Sequence, residues 1–172
     1  GDTLKVVNLQ EAAGSIMFPF TAGNWQLLKL SGWSDSNIRL SSYGYAYMPD
    51  DHWGSLYGTL ILPPGVETDK FTLIAYRENY VEGNLALSDS VFLHIQSIAE
   101  DHTGYASTHA LVLHDTIGWQ SKEVSLNLTI DEDRIYFFYV ALMTINFSEE
   151  GEDSRFRSLK VDYTRPAYTY SY

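Results

Sequence analysis

Cysteine is absent from this chain of 172 residues. That excludes disulfide bridges, cysteine nucleophiles and thiolate metal sites. Positive charge is scarce: 11 Lys and Arg stand against 22 Asp and Glu, a formal net charge of −11. Nucleic acid is a poor partner for such a surface, because phosphate binding needs concentrated positive charge. An anionic membrane surface repels it for the same reason. No apolar run approaches the roughly 18 residues of a membrane-spanning helix, so membrane insertion is not expected. Glycans, cations and protein surfaces remain as partners. Signatures of catalysis are missing too: no GxSxG, GxxxxGK[ST], HExxH or GxGxxG occurs. The chain opens on Gly1 rather than Met, which reads as a processed or trimmed start.

Helical periodicity is also rare. LQEAAG (9–14) offers one helical turn that Gly14 would end, and no amphipathic run reaches ordinary helix length. The dominant period is two. In EVSLNLTI (123–130), Val124, Leu126, Leu128 and Ile130 alternate with Glu123, Ser125, Asn127 and Thr129. That is the pattern of a half-buried antiparallel strand. Similar runs occupy 4–9, 15–20, 25–30, 38–48, 57–62, 70–77, 90–98, 109–114, 134–147 and 157–164. Turn chemistry separates them at AGN (22–24), PPG (63–65), EGN (82–84), DED (131–133) and EEGED (149–153). About ten to eleven strands without helices predict an all-β antiparallel sandwich of jelly-roll type, filling 1–172 as one domain.

Two segments ask for cover. RIYFFYVALMTINF (134–147) is apolar on both faces, whereas an antiparallel strand normally keeps one face wet. Its second face predicts a covering loop, another layer or a subunit. The tail at 166–172 sets Tyr168, Tyr170 and Tyr172 at alternate positions. It reads as an edge strand, a strand donated to a neighbour, or a frayed end.

RIYFFYVALMTINFS, the polar loop EEGEDSRF and the terminal RSLKVDYT together resemble the closing hairpin of galactose-binding-like jelly rolls, the fold of many carbohydrate-binding modules. The same pattern looks like several phage and adhesin β-sandwiches. The resemblance covers about forty residues. It implies a sandwich that binds glycans with loops at one end, and it assigns no individual residue.

Metal and acid chemistry stays diffuse. His52, His94, His102, His109 and His114 show no familiar ligand spacing. His94, in phase with Phe92 inside a strand, reads as a core or near-surface histidine. EDHTGYASTH (100–109) reads as a loop gathering Glu100, Asp101, His102 and His109, which suits solvation better than a divalent ion. No cofactor is expected. A structural calcium is the one metal that loops of a sandwich commonly hold, and its ligands stay unassigned.

Aromatic residues are abundant: 13 Tyr, 8 Phe and 4 Trp, together 15%. The stretch YGYAYMPDDHWG (43–54) concentrates them. If residues 38–48 form an unbroken strand, Ile38 and Leu40 face the core and Tyr43, Tyr45 and Tyr47 face out. Such a row is about 13 Å long, at roughly 6.7 Å per residue pair. A bulge at Gly44 would instead turn Tyr45 and Tyr47 inward. PDDHWG then reads as a loop in which Trp53 stacks on a sugar while Asp50, Asp51 and His52 accept or donate hydrogen bonds. Trp33 (GWSDSN) and Trp119 (IGWQS) are expected in similar loops.

The first functional expectation is therefore a non-catalytic, carbohydrate-binding module of a secreted or surface-exposed protein. Its ligand residues would be Trp53, Asp50, Asp51, His52, Trp33, Trp119 and Tyr47. The alternative is a structural assembly subunit of virion, tail-appendage or adhesin type, using Tyr-rich faces for homo-oligomer contacts. A glycan-active or metal-assisted hydrolase is the third.

Overall fold

The structure is a computed structural model. It describes residues 6–9, 12–19, 26–27, 38–48, 53–78, 90–101, 103–104, 106–111, 117–143 and 154–171. These form fourteen strands: β1 (Val6–Leu9), β2 (Ala12–Pro19), β3 (Gln26–Leu27), β4 (Arg39–Leu40), β5 (Ala46–Met48), β6 (Trp53–Leu60), β7 (Glu67–Arg77), β8 (Ser90–Ala99), β9 (Ala106–Leu111), β10 (Gly118–Val124), β11 (Leu128–Thr129), β12 (Arg134–Met143), β13 (Ser154–Arg165) and β14 (Tyr168–Ser171).

A seven-stranded sheet runs β10-β7-β13-β5-β4, with β11 beside β7 and β2 beside β13. A five-stranded sheet runs β3-β6-β12-β8-β9. All pairings are antiparallel. The chain crosses repeatedly between the two sheets, as in a jelly roll: β2 to β3, β3 to β4, β5 to β6, β6 to β7, β7 to β8, β9 to β10, β11 to β12 and β12 to β13. The fold is an all-β antiparallel sandwich.

Period two explains the core. Phe71, Leu73 and Ala75 of β7 are fully buried, as are Phe138, Val140 and Leu142 of β12. Each large apolar side chain taken from water stabilises the fold by about 1.5–3 kcal/mol. Phe18 of β2 meets Phe138 edge to face at 5.0 Å and so ties the two sheets together. In β13 the buried apolar residues are Phe156, Leu159 and Val161, a spacing of three and then two. A register shift between Phe156 and Ser158 absorbs the extra residue, Arg157, as a bulge.

Several expectations need correction. The 9–14 stretch is not a helical turn: Ala12–Pro19 is one strand, paired to β13. Gly14 is small because Tyr163 lies opposite, where an added Cβ would fall 2.6 Å from the ring. The 123–130 stretch is two strands interrupted at 125–127, although its inner and outer faces are as expected. There the Thr68 hydroxyl replaces ladder bonds, donating to the Leu126 carbonyl at 2.8 Å and accepting from the Leu128 amide at 3.1 Å. Residues 106–109, read as loop, belong to β9. The tail strand β14 pairs with the chain's own β1 in a two-stranded sheet, Val7 opposite Tyr170. Among the turns, 63–65 and 131–133 are found, with Gly65 at φ 80°, while 22–24, 82–84 and 149–153 lie outside the described residues.

On β12 the inner face is Tyr136, Phe138, Val140 and Leu142. The Tyr136 hydroxyl donates to the Thr129 carbonyl and accepts from the Asp131 amide, so its burial leaves no unpaired group. The outer face opens a groove of about 320 Å³ lined by Tyr57, Thr59, Ile135, Phe137 and Tyr139, with Ile135 50% exposed. His94 lies on this face, its ring 5.1 Å from Tyr139 and 6.3 Å from Phe92.

Candidate functional site

Residues 38–48 are neither an unbroken strand nor a bulged one. They form a hairpin. Gly44, at φ 78°, sits in the left-handed region that glycine adopts without strain. The Ser41 amide donates to the Tyr45 carbonyl at 2.9 Å, and the Gly44 amide to the Ser41 carbonyl at 3.2 Å. The turn resets the parity. Leu40, expected in the core, is 67% exposed, while Ala46 and Met48 are fully buried. Tyr45 and Tyr47 therefore point away from the core, and Tyr43 stands on the turn at 81% exposure.

The outer face of the seven-stranded sheet carries a cross-strand row. Trp119 of β10 is opposite Tyr76 of β7, Tyr76 opposite Arg155 of β13, Arg155 opposite Tyr47 of β5, and Tyr47 opposite Arg39 of β4. Four strand spacings make this row about 19 Å long, at roughly 4.8 Å each.

The side chains converge above it. Trp119 meets Tyr45 at 5.6 Å and Tyr76 at 5.5 Å, and Tyr45 meets Tyr47 at 6.2 Å. Two guanidiniums cap these rings. Arg155 lies 4.2 Å from the Tyr76 ring centre and 5.3 Å from that of Tyr45. Arg157, the bulge residue, lies 4.3 Å from the Trp119 ring centre. These are cation–π distances, favourable because the ring face is electron-rich. Glu78 faces Arg155 at 3.6 Å, at a partly exposed rim. Trp119 remains 39% exposed. The arrangement offers flat apolar surface, phenol hydroxyls and guanidinium donors together.

Of the residues expected in a site, the structure brings Trp119 and Tyr47 to one face, bridged by Tyr45. Trp119 is not in a loop but on the edge strand β10, and Trp53 opens β6 rather than a loop. Trp33, Asp50, Asp51 and His52 lie outside the described residues. Tyr76, Arg155 and Arg157 were missed by sequence reasoning. Their signal was parity: Tyr76 alternates with buried Ala75 and Arg77, and both arginines flank buried Phe156.

The 100–104 stretch shows no gathering of metal ligands among its described residues. The Asp101 carboxylate accepts the Thr103 hydroxyl at 2.6 Å and the Thr103 amide at 2.9 Å. These bonds hold its pKa below the usual value. Among the described residues no group of three or more His, Asp or Glu is placed to hold a metal ion. No described helix is long and apolar enough to cross a membrane.

No family model matches the chain, and no curated protein matches it by sequence. Solved structures give distant likenesses. One is a Clostridium thermocellum endo-1,4-β-D-xylanase 10B with CBM22-1 and GH10 modules, complexed with xylohexaose: TM-score 0.47, 11% identity, 84% of this chain and 26% of that one. A family two carbohydrate esterase from Cellvibrio japonicus gives 0.41 and 8%, over 90% and 36%. The module TmCBM61 in complex with β-1,4-galactotriose gives 0.35 and 13%, over 92% and 88%. These likenesses concern the fold alone. The chain spans about a third of the esterase and a quarter of the xylanase.

Proposed function

We propose that this chain is a non-catalytic carbohydrate-binding module of a secreted or surface-exposed protein. Its ligand lies across the outer face of the seven-stranded sheet. The observation that carries the reading is the convergence of Trp119, Tyr45, Tyr76 and Tyr47 on one open face, with guanidinium and hydroxyl donors between the rings. Sugar rings present an apolar C–H face that stacks on aromatics and a polar rim that needs hydrogen-bond partners. Asp50, Asp51 and His52 follow β5 in the sequence and lie outside the described residues. They, with Trp33, are proposed as further contacts, whereas Trp53 stands at the start of β6 in the five-stranded sheet.

A glycan array followed by titration calorimetry tests this. Trp119→Ala should abolish saturable binding while leaving the melting transition unchanged. Binding that survives this substitution would move the site elsewhere.

The assembly reading has one supporting observation, the apolar groove beside Phe137 and Tyr139 on the opposite sheet. Its tail version is weaker, because β14 already pairs within the chain. Light scattering of the wild type and of Phe137→Glu tests it.

A further inference from the structure

We infer that the glycan bound on the seven-stranded sheet is anionic, recognised through a carboxylate or sulfate group. This rests on the carbohydrate-binding reading above. The chain as a whole carries a net charge of −11 and only 11 basic residues. Three of those, Arg39, Arg155 and Arg157, stand on the outer face of β4 and β13 around the aromatic cluster. Among the described residues the same cluster sets one carboxylate against them, Glu78, which pairs with Arg155. The cationic residues farther along this face are already neutralised: Lys70 binds Glu123 at 2.8 Å and Lys160 binds Asp162 at 2.8 Å. Among the described residues of this face, positive charge left without an acid is therefore confined to the aromatic end.

The chemistry of the guanidinium sharpens this. Stacking on a ring uses its flat face, whereas its five N–H donors lie in its plane and match a two-oxygen anion. Arg157 is exposed, stacks on Trp119, and makes no ion pair among the described residues. A sugar laid against Trp119 and Tyr45 brings its ring substituents to that N–H edge. A neutral hydroxyl would use one such donor, but a carboxylate or sulfate takes two in a charge-assisted pair. In a chain otherwise rich in acids, the described residues of this end gather cations that would attract an anionic polysaccharide.

The test compares oligosaccharides of equal length by calorimetry: oligogalacturonate against its methyl ester, and sulfated against unsulfated galactan. At least one charged form should bind about tenfold or more tighter than its neutral counterpart, the scale of one charge-assisted pair. Uronate preference or sulfate preference then names the source of the anion. Arg157→Gln, with Arg39→Gln as a second variant, should bring the charged-to-neutral ratio down toward one, with the melting temperature as folding control. Equal affinity for charged and neutral forms overturns the anionic inference and leaves the carbohydrate-binding reading standing. Binding to none of the four and to no glycan of an array overturns both.

Discussion

Trp119 and Tyr45 meet edge to face with ring centres 5.6 Å apart, although two other strands separate β10 from β5. Their backbones are three strand spacings apart, about 14 Å at roughly 4.8 Å each. Both side chains must therefore lean inward across Tyr76 and Arg155. The pair defines a platform running across strands, not along one.

Tyr45→Ala is expected to weaken glycan binding about tenfold, since Tyr45 contacts Trp119, Tyr47 and Arg155 and truncation removes about 1–3 kcal/mol of stacking. Tyr43→Ala, on the exposed turn, should change binding little. Calorimetry on the two variants separates a specific platform from general stickiness of tyrosines.

Gly44→Val should lower stability by about 1–2 kcal/mol, because a branched residue resists the left-handed backbone at φ 78°. The same change displaces Tyr45, so affinity should fall together with the melting temperature. Wild-type affinity in a well-folded Gly44→Val protein would show that the hairpin does not position the platform.

Thr68→Val keeps the side-chain shape and removes the hydroxyl that stands in for ladder bonds at 126–128. The Leu128 amide and the Leu126 carbonyl then lose a partner, at a cost of about 1–3 kcal/mol. Chemical denaturation measures the loss, and faster amide exchange at Leu128 should accompany it.

Phe138→Ala deletes the ring that joins Phe18 across the sandwich. A loss of about 3–5 kcal/mol in urea unfolding is expected for a fully buried phenylalanine.

Asp101 should titrate below its ordinary value of 3.8, because Thr103 hydrogen-bonds its charged form. A depressed carboxylate pKa stabilises the fold at pH values above the unfolded pKa. That contribution fades as acid takes the group through its folded pKa. An NMR titration of wild type against Thr103→Val should show the midpoint rising toward 3.8 in the variant.

Much of the sandwich was legible because burial on one face enforces alternation, and alternation survives in a single sequence. β7 and the 123–130 stretch show their inner residues this way, whereas β12, apolar on both faces, does not. Segments governed by contacts from far along the chain were not legible. Ala12–Pro19 carries weak helical residues, yet pairing with β13 and the ring of Tyr163 over Gly14 makes it a strand. The bulge at Arg157 left a trace in the three-residue step from Phe156 to Leu159, but only the partner strand shows where the extra residue goes.

The candidate site divides the same way. The sequence by itself determined that the protein is an acidic, cysteine-free β-sandwich rich in tyrosine, and that Tyr45 and Tyr47 share a face, since strand geometry is local. Which face that is depended on a hairpin closed by Gly44. That Trp119, Tyr76, Arg155 and Arg157 join those tyrosines was decided only by strand order, because lateral neighbours in a sheet are set by pairing and leave no periodic mark along the chain.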